Sequence, residues 1–235
     1  MSIIFKGRGF EMTLAVQGFE VIKGVVQKTL IDEALFEIEQ PVQKASQGGI
    51  RNAEKKFKSV AKISNLDAIQ KVINLHLSAE SKLIRAIVFS KGPESNWSVT
   101  WHQDKTIALD KKKELKNWGP WSVKDGTIHV QPPLELLKKI LTIRVHLDPT
   151  DQENGCLRVI PGSHKYGIMS SEKIAQTVQK SSPVYCEAEA GDLLLMKPTI
   201  LHASSKSQVL AQRRILHLEF SDFQLPTGLS WASGL

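Results

Sequence analysis

At Lys82 the hydrophobic pattern of this chain changes period. Before it, apolar residues recur at helical spacing, as at Val26, Leu30, Ala34, Leu35 and Ile38 within 25–40. After it come short runs of Val, Ile, Leu and Thr, separated by clusters of Gly, Pro, Asn and Asp, and such runs are strands. The pattern predicts strands at 83–90, 98–101, 106–109, 127–130, 140–147, 156–160, 184–188, 192–197 and 212–220, with helices at 133–138 and 171–179. Ahead of them it predicts a strand at 19–23, a helix over 25–40, a polar loop through SQGGIRNAEKKFK, and a helix over 65–77 capped by Ser64 or Asn65. Many short strands following helices specify a mainly β chain of α+β type. The expected architecture is a double-stranded β-helix (a cupin-like jelly roll), with the helices packed outside one sheet.

A chain of 235 residues fits one domain, 1–235, with a helical region over about 1–80 and the jelly-roll core over about 82–222. Hydrophobic residues at 41% and charged residues at 23% supply a core of ordinary size and exclude disorder. Cys156 and Cys186 form no CxxC pair, which argues against a disulfide framework or zinc knuckle and fits the reducing cytoplasm. The opening MSIIFKGRGFEMTL lacks an apolar stretch of signal-peptide length, and no later run reaches membrane-spanning length. Met12 is an alternative start, since the periodic pattern begins only after it, making residues 1–11 an upstream extension. The net charge of +7 raises the question of nucleic acid. Yet the densest clusters, Lys55-Lys56-Lys58 and Lys111-Lys112-Lys113-Lys116, lie in loop-like stretches without the interleaved aromatics that stack bases. A solvated face is the expectation, with an anionic substrate or partner as the alternative, and neither nucleic acid nor membrane as a partner.

Within Trp101-His102-Gln103-Asp104 a histidine and a carboxylate stand two residues apart on a strand-like segment, where alternate side chains share a face. His202 follows much later in LLLMKPTILHASS, a separation that a closed β fold can bring back into contact. Two histidines and one carboxylate on one face of a metal leave the opposite face open, the arrangement of non-haem Fe(II) sites that activate oxygen. An isolated HxD is a weak signal. The last strand, QRRILHLEF, adds an arginine at close spacing after His202. A buried guanidinium needs an anion and pairs in two-pronged fashion with a carboxylate. Arg213 and Arg214 face opposite sides, and the spacing selects Arg213 as the inward one, leaving Arg214 for a surface salt bridge.

Three blocks together resemble the phytanoyl-CoA dioxygenase (PhyH-like) family of Fe(II)- and 2-oxoglutarate-dependent oxygenases. They are FSKGPESNWSVTWHQD (89–104), HLDPTDQENGCLRVIPGSHKYG (146–167) and AGDLLLMKPTILHASS through RRILHLEF (190–220). The resemblance implies a dioxygenase that hydroxylates an unidentified small molecule, consumes O2 and 2-oxoglutarate, and releases succinate and CO2. It implies Fe(II) on His102, Asp104 and His202 as metal and catalytic residues, and the distal carboxylate of 2-oxoglutarate on Arg213. Ser204, two residues after His202, resembles the family serine that hydrogen-bonds that carboxylate, against the reading of an ordinary strand serine. Related halogenases replace the carboxylate ligand with a small residue, so Asp104 favours hydroxylation over halogenation.

The remaining polar residues are less specific. Arg85, Ile87, Phe89 and Lys91 alternate on one strand face, where Arg85 is the pocket candidate for cosubstrate or substrate acid and Lys91 reads as a snorkelling surface residue. Arg144 and His146 share a face that either lines the barrel or meets solvent. His164 in PGSH is taken as structural, and His76, His129 and His217 as packing or surface residues. Trp97, Trp101, Trp118 and Trp121 build either a pocket wall or core. The competing readings are a catalytically silent jelly-roll module that binds metal or ligand, and a basic nucleic-acid-binding protein. Oligomeric state is not legible.

Overall fold

The computed structural model describes residues 13–43, 49–93, 95–124 and 126–232, so the alternative start at Met12 lies outside the described residues. A helical turn α1 at 13–17 precedes β1 (Phe19–Ile22) and the long helix α2 (Lys28–Gln43). Then follow β2 (Ile50–Arg51), α3 (Ala53–Lys56), α4 (Lys58–Ser64) and α5 (Asp67–Asn74). The β region runs β3 (Lys82–Lys91), β4 (Val99–His102), β5 (Ile107–Leu109), β6 (Trp121–Lys124) and β7 (Thr127–Val130), then α6 (Leu134–Lys138), β8 (Ile140–His146) and β9 (Leu157–Val159). A 3-10 turn at Ser163–Tyr166 and α7 (Ser171–Gln179) lead to β10 (Val184–Tyr185), β11 (Leu193–Met196), β12 (His202–Ser204) and β13 (Arg213–Ser221).

The strands pair antiparallel into a major sheet β1-β11-β8-β13-β3-β2, a minor sheet β10-β9-β12-β4, and a three-stranded unit β5-β7-β6. This is the expected double-stranded β-helix. Alternation along the major strands explains why it closes with helices on one side only. Leu141, Ile143 and Val145 of β8 and Leu216, Leu218 and Phe220 of β13 join a core with Ile31, Ala34 and Ile38 of α2, Val60 and Ile63 of α4, and Ile69, Val72 and Ile73 of α5. Each such buried aliphatic contributes about 1.5–3 kcal/mol. The helical layer is thus held by packing: α5 starts after Leu66 with no side-chain cap, not at the expected Ser64 or Asn65. The opposite face of the same strands carries Thr142, Arg144 and His146, and Arg213, His217 and Glu219, all buried inside the barrel.

Two local expectations are corrected. Of the expected polar loop SQGGIRNAEKKFK, 46–48 lies outside the described residues, while the rest forms β2, α3 and the start of α4. Ala53, Phe57, Val60 and Ile63 are buried there, and the exposed Lys55, Lys56 and Lys58 mask that apolar stripe in the sequence. Strand β6 escapes the pattern because three of its four residues are exposed, and β7 alone holds it in place.

Candidate functional site

Strand pairing builds the site. His102 ends β4 and is the cross-strand partner of His202 on β12, with ring centroids 4.1 Å apart. Asp104 lies just beyond β4, fixed by its backbone N–H donating to the Pro198 carbonyl at 2.9 Å. Its two carboxylate oxygens face the two Nε2 atoms, each at 3.6 Å, too far for a hydrogen bond. The three donor atoms all lie within 4.8 Å of one another.

Backbone carbonyls set the tautomers. Nδ1 of His102 lies 2.9 Å from the Thr100 carbonyl, and Nδ1 of His202 lies 2.9 Å from that of Ile200. A carbonyl only accepts, so both Nδ1 atoms carry a proton and both Nε2 atoms face Asp104, as in histidines that bind a metal through Nε2. Burial lowers the His202 pKa to about 4, with the charge of His102 adding to it, so the ring is neutral at pH 7. Burial works to raise Asp104, but the charges of the facing His202 and His102 outweigh it and hold the carboxyl below its usual range. Burial works to lower the His102 pKa, but the Asp104 carboxylate facing it outweighs burial and raises it, and a divalent transition metal seated among these three groups would take the place of that proton.

Between His102 and Asp104, Gln103 braces the loop. Its amide N–H groups donate to the Gly167 and Thr199 carbonyls, and its oxygen accepts from the Met169 N–H. The PGSH segment supports β12 as well, since Ser163 Oγ accepts from the Leu201 N–H. Gly155, in the NG turn, has φ +76°, and a Cβ there would lie 2.4 Å from the Ser205 carbonyl oxygen, so only glycine lets this turn close against the end of β12.

A cavity of about 250 Å³ opens beside His102, Asp104 and His202, walled by β3, β8, β12 and β13. Into it point Lys91, Arg144 and Arg213, all buried. Arg213 is only 4% exposed and its Nε has no partner. Burial, followed by the neighbouring charge of Arg144, lowers its pKa to about 10. Arg214 points the other way and grips Asp148 with Nε and Nη2, both at 2.7 Å. Lys91, read from sequence as a surface residue, is 1% exposed and donates to Ser204 Oγ at 2.5 Å and to the Ser205 carbonyl at 2.6 Å. Burial, then Arg213 and Arg144, brings its pKa down to about 7.

Arg85 lines the same wall, but its Nη1 donates to Glu219 at 2.9 Å and its Nη2 to the Thr106 carbonyl, so its charge is already neutralised. Glu219 also lies 3.0 Å from Nε2 of His217, whose Nδ1 is 3.3 Å from Arg144 Nη1. Asp104, His217 and Glu219 form a second convergent donor group, but two of the three are engaged in this hydrogen-bonded chain. Among the other residues singled out, Trp97 lines the cavity, whereas Trp118 and Trp121 pack in a separate apolar cluster and Trp101 stacks near Arg158. His164 hydrogen-bonds the Ala15 carbonyl, away from the site. His217 and Glu219 share the face of Arg213 by strand parity, a signal that the sequence carries.

This geometry has counterparts. A profile of the phytanoyl-CoA dioxygenase (PhyH) family matches residues 14–215. The iron/alpha-ketoglutarate-dependent dioxygenase ausO of Aspergillus calidoustus is 35% identical over 79 residues, 33% of this chain and 26% of that protein. Phytanoyl-CoA dioxygenase 1 of Oryza sativa subsp. japonica is 30% identical over 96 residues, 37% of this chain and 33% of that protein. These alignments span a third or less of the curated relatives. The crystal structure of EctD from S. alaskensis with 2-oxoglutarate and 5-hydroxyectoine superposes with a TM-score of 0.72 at 17% identity, covering 91% of this chain and 75% of EctD. With the family profile spanning most of its length, this chain belongs to the phytanoyl-CoA dioxygenase family.

Proposed function

We propose that this protein is an Fe(II)- and 2-oxoglutarate-dependent dioxygenase that hydroxylates a small molecule, with His102, Asp104 and His202 as the iron ligands. One observation carries the reading: two histidines and an ionised carboxylate share a cavity with the buried guanidinium of Arg213, whose Nε has no partner. The donors fit Fe(II), and the cations fit a dicarboxylate. Lys91, Arg144 and Arg213 face only Asp104 as an uncompensated anion, because Arg85 and Glu219 neutralise each other. Adding a dication leaves the cavity more positive still, so an anionic cosubstrate is required to balance it.

Iron bound there supplies the redox chemistry with O2 in which 2-oxoglutarate is converted to succinate and CO2. The chain's own residues supply placement. Arg213 offers a planar donor pair to the distal carboxylate. Ser204 already accepts a proton from Lys91, which leaves its own O–H to donate to that carboxylate. Phe89 and Trp97 exclude water from the same cavity.

The free, buried cysteines Cys156 and Cys186 support a reducing location such as the cytoplasm. No helix among the described residues is long and apolar enough to cross a membrane. The test is a calorimetric titration of 2-oxoglutarate into anaerobic protein with and without Fe(II). One equivalent bound tightly only when the metal is present supports the assignment, and affinity indifferent to the metal removes it. A silent binding module would pass that titration but form no succinate.

A further inference from the structure

We propose that Arg144 is a second acid receptor in the metal cavity, one that binds a carboxylate beside His102, Asp104 and His202 while Arg213 holds the distal carboxylate of the cosubstrate. The inference rests on the iron and 2-oxoglutarate reading for the chemistry that follows, but not for the binding of the acid.

Sheet register decides what Arg144 can reach. Its own inward-facing row runs Leu194, Arg144, His217 and Ile87. The row on one side is Met196, Thr142, Glu219 and Arg85, and the row on the other is His146, Ile215 and Phe89. Glu219 is the one carboxylate in these three rows, and Arg85 and His217 already engage it at 2.9 and 3.0 Å. Phe89 offers only its ring, centred 5.8 Å from the guanidinium carbon. Cys186 is close enough to feel the charge, but burial pushes its thiol up to about 12, so it is no anion at pH 7. Among the described residues, that leaves Asp104 as the anion whose charge reaches Arg144.

The contacts Arg144 makes are few. Its Nη1 lies 3.3 Å from Nδ1 of His217, a long contact to an uncharged nitrogen, because the same ring donates through Nε2 to Glu219. Its Nε has no partner, although the residue is only 7% exposed and lines the cavity. A guanidinium carries donors alone, and a donor shut away from both water and protein acceptors is rare in folded proteins. It points to a ligand that accepts, and a planar fork fits a carboxylate.

Position says where that ligand lies. The charge of Arg144 reaches His102, Asp104 and His202 alike. Arg213 is instead the cross-strand partner of Lys91, two inward positions along β13 from His217. The cavity thus has one arginine at the metal end and another at the far end. Asp104 turns its oxygens toward the two imidazoles, and a metal bound there engages it. An acid at the metal end then completes Arg144. Two molecules can bring one: the cosubstrate, through its 2-oxo acid end, and the substrate, through an acid of its own.

The experiment separates these sources by calorimetric titration of anaerobic, Fe(II)-loaded protein. One probe is 2-oxopentanoate, which keeps the 2-oxo acid end and lacks the distal carboxylate. The others are hexanoate and the neutral hexanamide, added to protein saturated with 2-oxoglutarate. If the cosubstrate supplies the acid, Arg144→Met should weaken 2-oxopentanoate about tenfold or more, while Arg213→Ala leaves that probe unaffected. If the substrate supplies it, hexanoate should bind about tenfold or more tightly than hexanamide, and Arg144→Met should erase that preference alone. Arg144→Lys should recover only part of either loss. Fe(II) affinity separates binding from scaffolding: removing a cation beside the metal should leave it unchanged or tighten it, whereas removing a merely structural arginine should loosen it. The proposal is overturned if Arg144→Met keeps both affinities, if it loses them together with Fe(II) affinity and thermal stability, or if Arg213→Ala weakens 2-oxopentanoate equally. If the protein binds neither Fe(II) nor 2-oxoglutarate, the oxygenase reading falls, while hexanoate against hexanamide on wild type and Arg144→Met still decides whether Arg144 receives an acid.

Discussion

Replacing Arg213 by alanine removes a buried guanidinium whose Nε has no partner and to which no carboxylate is bound, since Asp148 is taken by Arg214 at 2.7 Å. Hydrogen bonds to charged groups contribute about 1.5–3 kcal/mol each. A two-pronged contact, discounted because the carboxylate partly regains water when the arginine is gone, loses about 2–4 kcal/mol in total. That is about 30- to 1000-fold in the dissociation constant of 2-oxoglutarate. The assay is titration of 2-oxoglutarate into Fe(II)-loaded protein, with metal content measured in parallel and expected to stay at one per chain. Arg213→Lys should recover only part of the loss, because a point charge cannot match the forked geometry. Without cosubstrate the sign of the stability effect reverses. Desolvation has brought the Arg213 pKa down to about 10, so the charge is held against the folded state, and Arg213→Met should leave thermal stability unchanged or raise it. Arg214→Ala is the control, and it should cost stability by breaking the Asp148 pair while leaving affinity intact. Cosubstrate affinity that follows Arg214 and ignores Arg213 would refute the reasoning.

Three further outcomes follow from the same geometry. Asp104→Ala should weaken metal binding by more than the ~10–100-fold typical of losing an outer partner, with succinate yield falling in step; equilibrium dialysis of Fe(II) measures it. Gln103→Ala strands the Met169 N–H and the Gly167 and Thr199 carbonyls, and should cost about 2–4 kcal/mol in urea unfolding while loosening metal retention. Burial, followed by the charges of Arg144 and Arg213, lowers the His146 pKa from 6.5 to about 3. Between those values the unfolded chain binds a proton that the folded one refuses, so stability falls as pH drops from about 6.5 toward 3, by ~1.4 kcal/mol per pH unit for that group. His146→Gln should flatten the slope of unfolding free energy against pH by about one proton, and an unchanged slope would show that the ring titrates normally.

Much of this is written in local sequence, because strand parity is local. The alternation of Arg85, Ile87, Phe89 and Lys91 places all four on the cavity wall, and the same rule turns Arg213 inward and Arg214 toward Asp148. Parity also turns His217 and Glu219 inward, although their apolar neighbours make them look like packing residues. What local sequence hides is pairing between distant strands. Lys91 reads as a surface residue because nothing nearby reveals that its cross-strand partner is Arg213, or that Ser204 from another sheet accepts its hydrogen bond. Arg85 reads as an anion receptor because Glu219, its partner across the same strand pair, lies far along the chain. Arg144 and His146 could face either way from sequence, and only closure of the barrel puts them inside. The helices at 53–64 are hidden for a different reason: a short amphipathic stripe of Ala53, Phe57, Val60 and Ile63 is interrupted by lysines that belong to its wet face.

The most direct test of the central claim is to incubate the purified protein aerobically with 2-oxoglutarate and a pool of small organic molecules, with and without Fe(II), and to quantify succinate. The account predicts succinate that requires Fe(II), rises when a molecule in the pool is oxidised, and disappears in Asp104→Ala. Succinate that never exceeds the metal-free background, or that persists undiminished in Asp104→Ala, would contradict it.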